Sequence, residues 1–171
     1  MWKFLQQHMT WRAVPIAAIA AGSVFLLANM LAMSPVLEVS PALLLRYMAS
    51  LVLGSDVLTN ATPLTPVIGI IVHYALSLLF TLIITIVIHR WGTLIGIAGG
   101  AILGLAIYAI NLYTMTVFFE WFFAINNDIL LISHILFGMT AGGVYEQFDH
   151  YDAGLNPPQS NLQTGTERSA S

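Results

Sequence analysis

Hydrophobic residues in this chain are concentrated in four long runs, which are separated by shorter and more polar segments. The runs extend over about 12–33, 66–88, 92–113 and 129–145. A helix of about 20 apolar residues is long enough to cross the ~30 Å hydrocarbon core of a bilayer. The pattern therefore predicts an all-α membrane protein with four transmembrane helices. Because only His89, Arg90 and Trp91 separate the second run from the third, we expect these two helices to form a tight antiparallel hairpin.

A shorter helix is predicted between the first two runs, over 41–54. Ser40 is a suitable N-cap, Pro41 fits the first helical turn, and Gly54 is a common residue at a helix end. This helix of about 14 residues would rise only ~21 Å, which is less than the hydrocarbon thickness. Arg46 lies in its middle. We therefore predict a re-entrant or interfacial helix at the outer face of the membrane.

The positively charged residues predict the orientation of the four helices. If the short helix stays at the outer face, Lys3, Arg12, Arg90 and Arg168 all lie on the cytoplasmic side, and only Arg46 does not. If the short helix crosses the membrane, this asymmetry is largely lost. The distribution favours four spans with both termini in the cytoplasm. We expect a multi-pass protein of the bacterial inner (plasma) membrane.

The composition agrees with a membrane location and excludes several functional classes. Hydrophobic residues make up 58% of the chain and charged residues only 8%, whereas soluble domains carry about 25% charged residues. The five lysine and arginine residues are scattered and do not form the basic surface that binds nucleic acid, so nucleic acid is not an expected partner. The absence of cysteine excludes disulfides, thiolate metal sites and thiol nucleophiles.

The chain divides into a predicted membrane helical bundle over 1–148 and a predicted cytoplasmic tail over 149–171. The tail is dominated by Gly, Pro, Ser, Thr, Asn and Gln. Such a segment cannot bury enough apolar surface to offset the entropy lost on ordering. We therefore predict that the tail is disordered.

Small residues recur every four positions along the predicted spans and indicate close helix packing. The glycines in these rows are Gly92, Gly96, Gly100 and Gly104 on the third span and Gly138 and Gly142 on the fourth. In a bilayer, this GxxxG spacing lets helix backbones approach each other closely, and that approach drives association. We favour contacts within one chain. A homo-oligomer that uses the same glycine face is the alternative.

Six polar residues are expected to lie at a similar depth in the outer leaflet. They are Arg46, His73, Tyr108, Asn111, Glu120 and His134. Because ionisable groups are costly inside a membrane, this cluster is a candidate functional site. Three hypotheses remain open. In the first, the residues organise the outer half of the bundle, with Arg46 and Glu120 as an ion pair. In the second, they form a proton or ion path in an oligomer. In the third, His73 and His134 bind haem or a divalent metal.

The sequence contains no pattern that predicts an enzyme. Gly-x-Ser-x-Gly and P-loop motifs are absent, and no His-x-x-Glu-His or Glu-x-x-His spacing predicts a metal centre. We therefore expect no catalytic residues, no enzymatic activity, and no resident metal or cofactor, and no small-molecule substrate is identified. The lipid bilayer and a second copy of the chain are the expected partners. A structural or accessory role in the membrane is the favoured function.

Four motifs between residues 40 and 145 lie in the short helix, at the end of the third span, in the following loop and at the start of the fourth span. They are Leu45-Arg46-Tyr47, Tyr108-Ala109-Ile110-Asn111, the aromatic stretch Phe118 to Phe122, and His134-Ile135-Leu136-Phe137-Gly138. Together they resemble a family of small, functionally uncharacterised four-span bacterial inner-membrane proteins. Some members of that family are automatically labelled sodium:proline symporters.

Two features limit what this resemblance implies. The chain has Phe119-Glu120-Trp121 where the family pattern has proline before the tryptophan, so no role is carried over to that turn. Secondary transporters of the symporter kind use paired repeats with broken helices around a midplane site. Four spans cannot hold two such repeats unless the protein oligomerises, and no internal repeat is visible, so we do not carry the symporter label over to this chain.

Overall fold

The computed structural model describes residues 9–37, 40–89, 91–125 and 127–155, and it describes side chains for 9–32, 40–89, 91–125 and 127–149. The regular elements in this part of the chain are all helical. The α-helices are α1 (Ala13–Leu37), α2 (Pro41–Leu53), α3 (Thr65–Ile88), α4 (Thr93–Ile110), α5 (Thr116–Phe118) and α6 (Asp128–Leu155). Ser55–Leu58 and Glu120–Ile125 form 3₁₀-helices, and a π-helical turn at Asn111–Met115 joins α4 to α5.

Four helical segments are long and apolar enough to cross a membrane, as the hydrophobic runs predict. These segments are Ala13–Ala32, Thr65–Ile88, Thr93–Phe118 and Asp128–Asp149. The third segment combines α4, the π-helical turn and α5. Each segment begins within one residue of the position expected from the sequence.

The last helix is longer than predicted. α6 continues to Leu155, so the prediction that the disordered tail begins at residue 149 is wrong. Polar residues extend a helix readily once the preceding turns have formed, because helix propagation is much easier than nucleation. The Thr10 hydroxyl also donates to Asp149 Oδ1 at 2.6 Å, which ties this part of α6 to the segment before α1. Residues 156–171 lie outside the described part, as do Lys3, Arg90 and Arg168.

The short helix α2 has the ends that the sequence predicts. The Ser40 hydroxyl accepts a hydrogen bond from the Leu43 N–H at 3.2 Å, and Pro41 is the first helical residue. Gly54 has a φ of 86°, a left-handed conformation that glycine adopts without steric cost, and its N–H donates to the Ser50 carbonyl. The 13 residues of α2 rise only ~20 Å, which is too short for a complete crossing.

The beginning of α1, the beginning of α4 and the end of α6 meet at one end of the bundle. We call it the termini end and define it by Thr10, Gly92, Glu146 and Asp149. Here the Gly92 N–H donates to Glu146 Oε2 at 2.9 Å. The sequence pattern placed Gly92 in the helix-packing row, but it precedes α4 as the N-cap, with a φ of 86°. Its position in the fold is therefore fixed by backbone conformation and by the bond to Glu146.

Helices α4 and α6 are in direct backbone contact. The glycines at this contact are Gly96, Gly100 and Gly104 on α4 and Gly138 and Gly142 on α6. A Cβ atom added to Gly100 would overlap the carbonyl oxygen of Gly138, and one added to Gly104 would overlap that of His134. Any larger residue at these positions would push the two helices apart. The close approach holds His134 beside the end of α4.

At the opposite end of the bundle, α2 packs along the first half of α3. The Leu45 carbonyl oxygen lies where a Cβ of Gly69 would be, so these two backbones are also in contact. On the same side of the bundle, Leu51 and Val52 of α2 face the same space as Val72 and Leu76 of α3. Helix α2 therefore lines the inside of this half of the bundle instead of lying apart from it.

Aromatic residues after α5 complete this end, which we call the aromatic end and define by Tyr47, Phe119, Trp121 and Phe122. The Trp121 indole N–H donates to Ser50 Oγ of α2 at 2.8 Å. The rings of Tyr47 and Phe122 lie edge to face with centroids 5.6 Å apart. These contacts fasten the segment after α5 to α2 and close the bundle on this side.

Candidate functional site

A partly enclosed cavity of about 360 Å³ lies between the helices in the half of the bundle near the aromatic end. Its walls come from all six α-helices, the π-helical turn and the 3₁₀-helix Glu120–Ile125. The aromatic hydrocarbon side chains on the walls are Phe25, Phe80, Phe119, Phe122 and Phe137. The residues with polar side-chain groups are His73, Ser77, Tyr108, Asn111, Thr116 and His134. Of the lining residues that the structure describes, none is Asp, Glu, Lys or Arg.

His134 contributes a hydrogen-bond acceptor to the cavity wall. Its Nδ1 is 2.8 Å from the Leu130 carbonyl oxygen, one turn earlier in α6, and a carbonyl only accepts, so Nδ1 carries the proton. In the neutral imidazole, Nε2 is then the acceptor. It lies 3.3 Å from Nδ2 of Asn111, which donates to it. The Tyr108 ring packs against the imidazole with centroids 5.5 Å apart.

Asn111 is positioned by the π-helical turn that follows α4. A π-helix has more residues per turn than an α-helix, so it changes the direction of the side chains that follow. Asn111, Leu112 and Met115 of this turn, together with Thr116, line the cavity. Single π-helical turns within α-helices occur frequently at functional sites. The apolar periodicity of the third span gives no sign of this turn, and sequence analysis missed it.

His73 lies in the same cavity but makes a different contact. Its Nε2 donates to the Gly22 carbonyl oxygen of α1 at 2.9 Å, and the residue is buried. The Phe25 ring, also from α1, stacks on His73 with centroids 5.5 Å apart and meets His134 edge-on at 4.9 Å. The two histidines predicted at one depth thus face one cavity, and an apolar ring contacts both of them.

Arg46 and Glu120 are not part of the cavity wall. The Arg46 guanidinium lies 3.4 Å from the Leu58 carbonyl oxygen, in the segment that follows α2. Glu120 begins a 3₁₀-helix and is exposed. Within the described residues, the predicted ion pair between Arg46 and Glu120 does not form. Arg46 lies on the short helix α2 and Glu120 in the 3₁₀-helix after α5, and the sequence pattern does not determine how these two short elements pack against the bundle.

Several buried polar residues outside the predicted cluster lie toward the termini end. Thr81 and Thr85 on α3 are both fully buried, one and two turns beyond Ser77. Glu146 is also fully buried: its Oε2 accepts from Gly92, and its Oε1 has no hydrogen-bond partner among the described residues, which do not include Arg90. Glu146 belongs to the four-residue row of His134, Gly138 and Gly142, which was the sequence signal that could have identified it.

The donor groups of the cavity suit a neutral organic molecule better than a metal ion. Among the described residues, no group of three or more His, Cys, Asp or Glu side chains comes together. One ring nitrogen of His73 and one of His134 already donate to backbone carbonyls. The hypothesis of haem or metal binding by His73 and His134 stays a prediction. The arrangement can accept one hydrogen bond and donate another inside a mainly aromatic wall.

In comparisons with known proteins, no family model, no curated protein and no solved structure matches this chain. The resemblance to four-span bacterial inner-membrane proteins therefore stays a prediction. A proposal for the function of this chain therefore rests on the geometry of the cavity.

Proposed function

We propose that this chain is a non-enzymatic accessory protein of the bacterial inner membrane that binds a small apolar molecule within its helical bundle. The observation that carries this proposal is the cavity of about 360 Å³, walled by phenylalanine rings and provided with a hydrogen-bonding pair, Asn111 and His134. Ligand pockets are typically mainly apolar spaces of ~300–1,000 Å³ with a few placed polar groups.

The distribution of polarity supports the membrane location. Large apolar side chains cover the outside, where Leu31 is 73% exposed, Leu94 81% and Ile102 69%. The inside contains hydroxyl groups, such as those of the fully buried Thr81 and Thr85. A surface of this kind is stable when lipid surrounds it, because helices in a bilayer associate through small and weakly polar residues.

The charge distribution supports the orientation. In the sequence, Lys3 and Arg12 precede α1 and Arg90 lies between α3 and α4, and α1 and α4 both begin at the termini end. Arg46 belongs to α2, on the side of the aromatic end. Since cytoplasmic loops carry the excess of lysine and arginine, we place the termini end in the cytoplasm and the aromatic end outside. The cavity then lies in the outer half of the membrane.

The groups on the cavity wall also support an accessory role, because they are suited to binding a molecule and not to catalysing a reaction. The cavity wall provides hydrogen bonds and aromatic surface. The predicted alternative, an oligomeric proton or ion conductor, would use His73 and the buried hydroxyls of α3. Both that alternative and homo-oligomer formation stay predictions.

A cavity-filling substitution tests the proposal. Val72 lines the cavity, whereas its neighbour Ile71 does not and is 63% exposed. We expect Val72→Trp to fill the space and to abolish retention of apolar small molecules on the purified protein, measured by native mass spectrometry and by analysis of solvent extracts. Ile71→Trp is the matched control and should retain them as the wild type does. Equal retention by both variants would contradict the proposal, as would a wild type that retains nothing and takes up nothing from the membrane.

A further inference from the structure

We infer that the Asn111–His134 pair binds the hydroxyl group of an uncharged alcohol or phenol whose apolar body occupies the phenylalanine-walled part of the cavity. This inference rests on the proposed function, because it specifies the class of molecule that the cavity takes. Three features of the cavity support it: the absence of charged residues on its wall, the donor and acceptor groups there, and the distance between Asn111 Nδ2 and His134 Nε2.

The absence of charge on the wall restricts the ligand to neutral molecules. No Asp, Glu, Lys or Arg is present among the described lining residues. Arg46 contacts the Leu58 carbonyl, and Glu120 is exposed on the outside. A charged group that enters such a cavity loses its hydration and gains no counter-ion, which is strongly unfavourable. Phosphate, carboxylate and quaternary ammonium head groups therefore do not suit this site.

The two side chains of the pair offer one donor and one acceptor next to each other. The Leu130 carbonyl fixes the proton of His134 on Nδ1, so Nε2 accepts. Asn111 turns its amide Nδ2 toward Nε2, because its Oδ1 is an acceptor and could not pair with another acceptor. Their separation of 3.3 Å is slightly longer than the usual upper value of ~3.2 Å for an N–H donor bond. The hydrogen bond between Asn111 and His134 is therefore weak.

A hydroxyl group satisfies both members of this pair at once. Its O–H donates to His134 Nε2, and its oxygen accepts from Asn111 Nδ2. A ketone or ester oxygen only accepts: it can take the second N–H of Asn111 Nδ2, but it offers Nε2 no donor in place of the long bond from Asn111. A hydrocarbon offers neither a donor nor an acceptor, and it leaves Asn111 and His134 with only this long bond to each other. Tyr108, whose ring packs on His134, and Phe25 then flank the bound head.

A set of ligands with one chain length and different head groups tests the inference. The full-length protein, purified into nanodiscs, would be incubated with a tritiated long-chain alcohol. The competing ligands would be the unlabelled alcohol, the alkane, the carboxylate and the trimethylammonium compound. We expect the alcohol to compete at least ~10-fold better than the alkane, which corresponds to about one buried hydrogen bond. The two charged compounds should compete more weakly than the alkane.

Variants test whether Asn111 and His134 cause the preference for the alcohol over the alkane. Asn111→Leu should reduce the preference for the alcohol over the alkane to less than ~2-fold while alkane binding remains, because one hydrogen-bond partner is lost. Thr114→Leu is the matched control, since Thr114 lies in the same π-helical turn, is exposed and does not line the cavity. If Asn111→Leu does not fold, His134→Phe provides the same test in the aromatic wall.

The outcomes separate the inference from the proposed function. Alkane and alcohol binding with equal affinity would overturn the inference and leave the proposed function standing. Preferred binding of the carboxylate or the ammonium compound would also overturn it. Binding of none of the four compounds would overturn the proposed function itself.

Discussion

Glu146 is a completely buried acidic residue at the termini end of the bundle. Its Oε2 accepts the backbone N–H of Gly92, the N-cap of α4, and this N–H has no partner within the helix. A carboxylate at the beginning of a helix is also favoured by the partial positive charge of the helix N-terminus. Glu146 therefore joins α6 to the start of α4 through a bond that is buried and directional.

We expect Glu146→Ala to lower the stability of the folded protein by ~1–3 kcal/mol, because the partly buried Gly92 N–H would lose its hydrogen-bond partner. Glu146→Gln should lose much less, since the amide oxygen still accepts this hydrogen bond. Thermal unfolding in detergent measures both variants. Gln147→Ala, at the exposed neighbouring position, is the control. An Ala variant at position 146 that melts with the wild type would rule out this role.

At the same scale, four of the six polar residues predicted at one depth line the cavity, and two do not. His73, Tyr108, Asn111 and His134 lie on helices, and the constant rise of ~1.5 Å per residue converts sequence position into depth. All four face the cavity. Arg46 lies on the short helix α2 and Glu120 in the 3₁₀-helix after α5, and the sequence pattern does not determine how these two short elements pack. Contacts such as that of Phe25 with both histidines depend on how α1 packs, which no single helix pattern reveals.

The contact between α4 and α6 determines the shape of the bundle at the level of its elements. Gly100 faces the Gly138 carbonyl with no space for a side chain, whereas the adjacent Gly99 is half-buried and faces Ile88 of α3. A Cβ on Gly99 would come only to 3.4 Å from Ile88 Cγ2, near ordinary van der Waals contact. Two neighbouring glycines in one helix thus differ sharply in their tolerance of a methyl group.

We expect Gly100→Ala to destabilise the protein by ~1–3 kcal/mol, because overpacking forces two backbones apart. Gly99→Ala is the matched control. It should be neutral or slightly stabilising, since alanine is a better helix former than glycine. Melting temperatures of the two variants in the same detergent give the comparison. If both alanines have the same effect, the contact between α4 and α6 does not limit stability.

The ends and lengths of most elements could be predicted because they depend on local rules. Ser40, Pro41 and Gly54 delimit α2 through capping geometry that is visible in the sequence. The π-helical turn at Asn111–Met115 could not be predicted, because its five residues include no glycine or proline and no spacing in the sequence marks where an α-helix widens into a π-helical turn. The last residues of α6 were missed because their polarity indicated a tail, although polar residues continue an existing helix.

The whole molecule is organised with apolar side chains outside and small or polar side chains inside. This arrangement could be predicted in outline, since a charged content of 8% and four long apolar runs leave few alternatives. The cavity could not be predicted, because it is formed by residues from six α-helices and the segments between them. Volume left between packed helices is a property of the assembly, and periodicity within one helix does not determine it.

The proposed orientation is directly testable because the chain contains no cysteine. Asn60 is exposed on the segment between α2 and α3, and Trp91 is 59% exposed between α3 and α4. In intact bacterial cells whose outer membrane has been made permeable, a maleimide that cannot cross the inner membrane should label Asn60→Cys. It should label Trp91→Cys only after the inner membrane is opened. The reverse pattern would place the termini end outside.

The packing of α1 has a consequence for biosynthesis. Helix α1 packs mainly against α6 and α3, and its fully buried face contains Ala13, Ala17 and Ala21. Helix α1 thus leaves the ribosome well before α6, one of its two main neighbours. Until α6 has been synthesised, the alanine face of α1 lacks this partner. We therefore expect the bundle to close around the cavity only after α6 has been made, and a chain truncated before α6 to be unable to assemble.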